Sequence, residues 1–254
     1  MPSSSAIYKR FVDKNFREIV GPVAEKNGFK FRTYTYYRVK NGILQSFALK
    51  NCCVYRFEVC FFVSPTSLGL TSRGSGYGLE YFNRDNKYHM SIAGNWDYMV
   101  RRNDCFDNEP EKIISHMNEI KEIIEERLIP FFDRLTDDIA LLSFYKKPLY
   151  TNIDNYREIL NLYLRLEEYD EAEKMLRDSI ESIITMLYND MNGLSEHPCK
   201  WDGRGYLFHF NIAAKEALML KNLEEKNYDF FREMIKENEK ITEEFLKHPK
   251  FDRL

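Results

Sequence analysis

The 254-residue chain is short of the features that would assign it quickly. Its five cysteines, Cys52, Cys53, Cys60, Cys105 and Cys199, fall at spacings that make neither a disulfide framework nor a paired CxxC zinc site, and they read as reduced thiols. No segment approaches the ~18 consecutive apolar residues that would cross a bilayer. The N-terminal "MPSSSAIYKRF" lacks the uninterrupted apolar stretch of a signal peptide. These absences predict a soluble, cytoplasmic protein with no membrane partner. Strong positive charge is also missing: the net charge is -3, and no glycine-aromatic RNA-binding signature occurs, which disfavours nucleic acid as the partner.

Glycine is sparse and clusters once, in "TSRGSGYGLEYF", where Gly74, Gly76 and Gly78 alternate. A phosphate-cradling loop needs a helix N-terminus directly after it, because converging backbone N–H groups and the helix dipole together hold the anion. The residues after Gly78, "LEYFNRDNKYHMSI", have strand texture, with no Lys-Ser/Thr ending and no acidic partner at dinucleotide spacing. The loop is therefore expected to join two strands, with Arg73 on a connection able to act as a lid.

What the chain has in quantity is apolar and aromatic residues, 44% and 15%, enough to bury a full core in one large or two small domains. Charge is unevenly spread. Residues 1–108 carry 16 Lys+Arg against 9 Asp+Glu, and the remainder 21 against 31, so the first part is +7 and the second -10. An anionic partner for the first part is one expectation; an ordinary solvated helix surface accounts for the second.

Ile7, Phe11, Ile19 and Val23 fit one face of a helix over residues 5–26, capped by Ser5, kinked at Gly21-Pro22 and ended by Asn27-Gly28. The texture then changes to "FKFRTYTYYRVK" and "ILQSFALK" around Asn41-Gly42, a hairpin signal because both residues accept positive φ. In "VYRFEVCFFV" the alternate residues Tyr55, Phe57, Val59, Phe61 and Val63 form a core face. "GLEYF" and "KYHMSIAG" complete an antiparallel sheet of about five strands. A helix capped at Asp107 or Asn108 runs through Ile113, Met117, Ile120, Ile124 and Leu128 to a stop at Pro130, and "TDDIALLSFYKK" is a further helical piece.

Beyond Pro148 the chain is helical. "LYLRLEEYDEAEKML" makes a helix, a tight turn at Glu167-Glu168 and a second helix; it is similar to one tetratricopeptide unit through Tyr163, Tyr169, Ala172 and Leu176. The echo "LEEKNYDFFREMI" places Tyr228 59 residues after Tyr169, where that repeat has a period of about 34, so a pair of helical hairpins is expected rather than a solenoid.

From about Phe11 to Phe132 the order of an N-terminal helix, "GFKFRTYTYYRVKNGILQSFALK", the strand "YRFEVCFFVSP" and a helix ending in "LIPFFDRL" resembles a bacterial family, domain of unknown function 4304. Gly28, Phe29, Tyr37, Arg38, Gln45 and Phe57 carry the resemblance. It implies a helix-flanked antiparallel sheet and transfers no site residues.

The polar side of the sheet is the candidate ligand site: strand periodicity would gather Arg38, Gln45, Arg56 and Glu58, with His89 in reach and Arg73 in the lid. Arginines there would fork a carboxylate or phosphate, making an enzyme or binder of a phosphorylated or nucleotide ligand the alternative function. Glu58 and His89 are too few for a convergent acid/base set, and no catalytic residue is assigned. His197, Cys199 and His209 lack a fourth partner for zinc; neither metal nor cofactor is expected. Aromatics interleaved with basic residues in "KFRTYTYYR" make single-stranded nucleic acid the third reading. The first is an α+β domain over 1–148 with an α-helical region over 149–254 packed on it, acting as a non-enzymatic protein- or peptide-binding protein.

Overall fold

The structure, a computed structural model, describes residues 4–32, 35–53, 56–68, 77–78, 110–146, 156–193 and 203–247. The fold is α+β: an antiparallel sheet flanked by helices, followed by a helical C-terminal region. Two compact units are formed, one from residues 1–159 together with 237–254 and one from residues 160–236. The division thus falls past residue 148, and the last stretch of the chain belongs to the first unit.

In the first unit, α1 (Ser4–Lys26) runs unbroken through Pro22, and the chain leaves it at Gly28, whose φ of 81° is the left-handed ending anticipated for Asn27-Gly28. The sheet has the simple order β1-β2-β3-β4-β5. Four strands have three residues or more: β1 (Lys30–Arg32), β2 (Thr35–Lys40), β3 (Ile43–Cys53) and β4 (Arg56–Pro65); β5 (Tyr77–Gly78) has two. The count is reached differently from the sequence expectation. "FKFRTYTYYRVK" is two strands, not one, because Arg32 pairs back on Thr35 across a reversal within a single β-rich run. "KYHMSIAG", most of "GLEYF" and the loop residues Gly74 and Gly76 lie outside the described residues, whereas Gly78 pairs with Cys60 as a strand residue. The β2–β3 connection is the Asn41-Gly42 turn with φ of 51° and 74°, the double positive φ that matches strand twist.

Residues on both faces of the sheet are buried. Tyr36, Phe47 and Phe61 stand side by side in the register on the first face and meet Phe16, Val20 and Ala24 of α1 in a common core. Packed beside α1, a helical rod reaches the same face with Phe131 and Phe132, whose rings lie 5.5 and 5.9 Å from that of Phe61. This rod is α2 (Pro110–Ile123), a π-helical turn (Ile124–Leu128) and α3 (Ile129–Arg134). Pro130 does not stop it, contrary to the expectation. The π-turn closes from the Ile129 N–H to the Ile124 carbonyl, so Pro130 opens a new segment, where a missing N–H costs little. The hydroxyl of Tyr145 in α4 (Asp138–Lys146) donates to the Val63 carbonyl. On the second face Thr35, Ser46 and Ser64 are also buried. There the end of α8 (Tyr228–Lys247) arrives: the Thr242 hydroxyl donates to the Thr66 carbonyl at 2.6 Å, and that of Tyr37 to the Leu246 carbonyl at 3.2 Å.

The second unit holds two helical hairpins, α5 (Tyr156–Arg165) with α6 (Tyr169–Met191), and α7 (Gly203–Glu224) with the start of α8. Their turns repeat bond for bond at the spacing of 59: Leu166, Glu167 and Glu168 donate to Leu162, Leu164 and Tyr163, as Glu225, Lys226 and Asn227 do to Lys221, Leu223 and Asn222. In both, a non-glycine residue takes the left-handed position, Glu167 with φ of 57° and Lys226 with φ of 55°. The equivalent tyrosines Tyr169 and Tyr228 stack with centroids 4.0 Å apart and planes 3° from parallel. Stepped repeats would hold equivalent residues about a helix spacing, ~8–10 Å, apart, so the hairpins meet by rotation rather than by solenoid translation.

Candidate functional site

Of the residues singled out from sequence, the structure brings Arg38 and Gln45 together and ties both up. They are cross-strand partners on β2 and β3. The Arg38 Nε donates to Gln45 Oε1 at 2.7 Å, one terminal nitrogen to the Asn27 carbonyl at 2.8 Å and the other to Asp133 Oδ1 at 2.8 Å. The guanidinium also lies 4.5 Å from the centre of the Phe29 ring. Gln45, fully buried, donates to the carbonyls of Phe132, which also accepts the Leu135 N–H, and of Leu135, at the end of the α3 rod. Lys40 adds a second cation at 3.2 Å from Asp133. Burial pushes the Asp133 carboxyl up, but the Lys40 hydrogen bond and the Arg38 charge outweigh it and hold the group below the usual carboxylate range.

This constellation is a clasp between the end of α1, the β2–β3 hairpin and the end of α3. Three of the five Arg38 N–H donors, one on each nitrogen, are engaged within the protein rather than presented as a fork to a ligand. Arg56 and Glu58 are not gathered to it. Gln45 pairs with Val63, whereas Glu58 pairs with Lys50, five positions and roughly 16 Å further along the strand. Arg73 and His89 lie outside the described residues, as do His197 and Cys199; His209 is at the start of α7. Among the described residues no three His, Cys, Asp or Glu side chains are grouped to hold a metal, and no helix is long and apolar enough to cross a membrane.

A different surface stands out on α6. Positions 170, 174, 177, 181, 184, 188 and 191 recur at alternating spacings of four and three and are all exposed, so they form one continuous line along the helix. Its first half is charged: Asp170, Glu173, Lys174, Arg177 and Asp178 line a recess of about 320 Å3. Arg177 holds Glu173 and Glu224 at 2.8 and 2.6 Å, the second joining α6 to α7, and both bonds raise its already high pKa. The second half is apolar: Ile184, Tyr188 and Met191 are 57%, 62% and 73% exposed. On α7, which packs against α6, Phe210 and Leu218 are also more than half exposed.

Sequence reasoning missed this stripe although its signal was present. Ala172, Leu176 and Leu187 already supply a buried face for α6. A second apolar set on the same helix, about a quarter of a turn away, stands exposed beside it. No family model, curated protein or solved structure matches the chain.

Proposed function

We propose that this chain is a non-enzymatic protein-interaction protein whose docking surface is the α6 stripe, and that its partner presents an amphipathic helix carrying basic residues. The observation that carries the reading is the line of exposed side chains itself. Three large apolar groups project at the spacing that an α-helical partner repeats, and a charged recess continues directly from them. Exposed apolar clusters of this kind cost solubility and are kept where another surface covers them. The charge of the partner follows from α6, which carries Asp170, Glu171, Glu173, Asp178, Glu181 and Asp190 against Lys174 and Arg177 alone. Arg38, held by Gln45, Asn27 and Asp133, gives the phosphate-ligand alternative no specific support.

The test uses a labelled peptide of leucine and lysine alone, with leucines at helical spacing, titrated into the full chain. Binding is expected, and Tyr188→Glu should weaken it by about tenfold or more at an unchanged melting temperature. Equal affinity of the variant, or no binding at millimolar peptide, would remove the stripe as the docking surface.

A further inference from the structure

The exposed line on α6 has a counterpart on α7. Phe210, Ala214, Ala217, Lys221 and Glu224 recur at the same alternation of four and three, and all are exposed. The two lines meet, because Arg177 of the first holds Glu224 of the second at 2.6 Å. The helices run antiparallel. Were they parallel from that pair, Met191 and Gly203 would stand roughly 50 Å apart, beyond the roughly 40 Å that the chain between them spans when fully extended. Counted in equal rises from the pair, Ile184 is level with Ala217, and Met191 with Phe210.

This two-helix face is graded along its length. Around the Arg177–Glu224 pair, residues 169–181 and 219–225 carry seven acidic groups against three basic, whereas residues 182–191 and 209–218 carry two against one. The second end is the apolar one. There Ile184, Tyr188, Met191, Phe210 and Leu218 are all more than half exposed, and the small Ala214 and Ala217 leave room for a helix between the two rows.

Building on the stripe as the docking surface, we infer that the partner's helix lies along the seam between α6 and α7, antiparallel to α6, with apolar residues in its first half and lysines or arginines in its second. The position follows from the paired lines. A helix seated on α6 alone would leave Phe210 and Leu218 bare, whereas one in the seam covers the apolar groups of both helices. The direction follows from charge. Basic residues in the last turns of a helix are stabilised by its own dipole, and laid antiparallel to α6 those same residues reach the acidic end of the face. In the opposite direction they would open the partner's helix, where the dipole opposes them.

The probes are two capped helical peptides of one composition, the first with leucines at helical spacing followed by lysines, the second with that order reversed. Each is titrated into the full chain and followed by anisotropy. The first is expected to bind about fivefold tighter or more. A nitroxide at its C-terminus should broaden the amide signals of residues 170–177 and leave those of residues 188–191 sharp, which reports direction whatever the affinities. Phe210→Ser, at an exposed site, should weaken the first peptide about tenfold at an unchanged melting temperature, because the seam uses α7 as well as α6. Equal or reversed preference, broadening at residues 188–191 instead, or undiminished binding by Phe210→Ser overturns the inference; sensitivity to Tyr188→Glu would then still keep the α6 stripe. No binding of either peptide at millimolar concentration removes both.

Discussion

Tyr36 is fully buried, and its hydroxyl has no hydrogen-bond partner. An orphan buried hydroxyl costs ~1–3 kcal/mol, so Tyr36→Phe should stabilise the protein by about 1 kcal/mol, read as a raised melting temperature. Burial, helped by the Glu25 charge and opposed by Arg17, pushes the phenol up to about 12 from 10.0. A raised pKa means that the folded state keeps a proton the unfolded chain has lost, so stability falls as pH rises from 10 towards 12, by about 3 kcal/mol in all. The phenylalanine variant should flatten that alkaline limb; an identical limb would place its cause elsewhere. The same hydroxyl explains Gly21 inside a helix. Gly21→Ala alone should destabilise through the 2.9 Å contact. In the Tyr36→Phe background the same change should become favourable by about 1 kcal/mol, the ordinary helix preference for alanine. Additivity of the two changes would contradict the clash. None of this was legible in the sequence, because Gly21 and Tyr36 meet only through the packing of α1 on β2.

At the scale of elements, legibility follows the range of the forces. The Asn41-Gly42 hairpin and the α5–α6 turn are set by local backbone preference, and they stand where the residues put them. The Pro130 region misleads because proline ends a helix only if no neighbouring turn can absorb the missing N–H, and a π-turn does so here. Arg38 and Gln45 are neighbours by the hairpin register, which the sequence shows, but Asp133 lies 95 residues from Arg38 and its capture of the guanidinium leaves no local signal. The paired turns carry their own prediction. Glu167 and Lys226 occupy backbone conformations that disfavour a side chain by roughly 1 kcal/mol or more. Lys226→Gly should therefore stabilise by about 0.5–1 kcal/mol in chemical denaturation. Glu167→Gly should gain less, since it also gives up the 3.0 Å solvent-exposed pair with Arg232. Equal gains would show that this pair contributes nothing.

At the scale of the molecule, the chain crosses from the first unit to the second and comes back, and the return brings Thr242 and Leu246 to hydrogen-bond Thr66 and Tyr37 at the sheet. Composition announced two textures but gave no reason to expect the last helix to serve the first, since α8 begins as the partner of α7 and its amphipathic pattern continues without a break. A chain ending at residue 236 should lose the Thr242 and Leu246 contacts and uncover Thr35, Ser46 and Ser64. Hydrogen exchange should then quicken across β2 to β4. Thr242→Val, which keeps the shape but not the donor, should cost about 1–2 kcal/mol. Unchanged exchange in the truncated chain would assign the cover of that face to other residues.

The return also sets a timetable for synthesis. On the ribosome, β4 is finished at Pro65, but Glu237, where the covering stretch begins, emerges roughly 170 residues later. At ordinary elongation rates that is a wait of roughly 10 to 30 s in which a newly made sheet lacks the Thr242 and Leu246 contacts. A nascent chain of this protein would be a client for whatever in the cell shields unfinished β-structure, and its yield should respond to translation speed more than its final stability suggests.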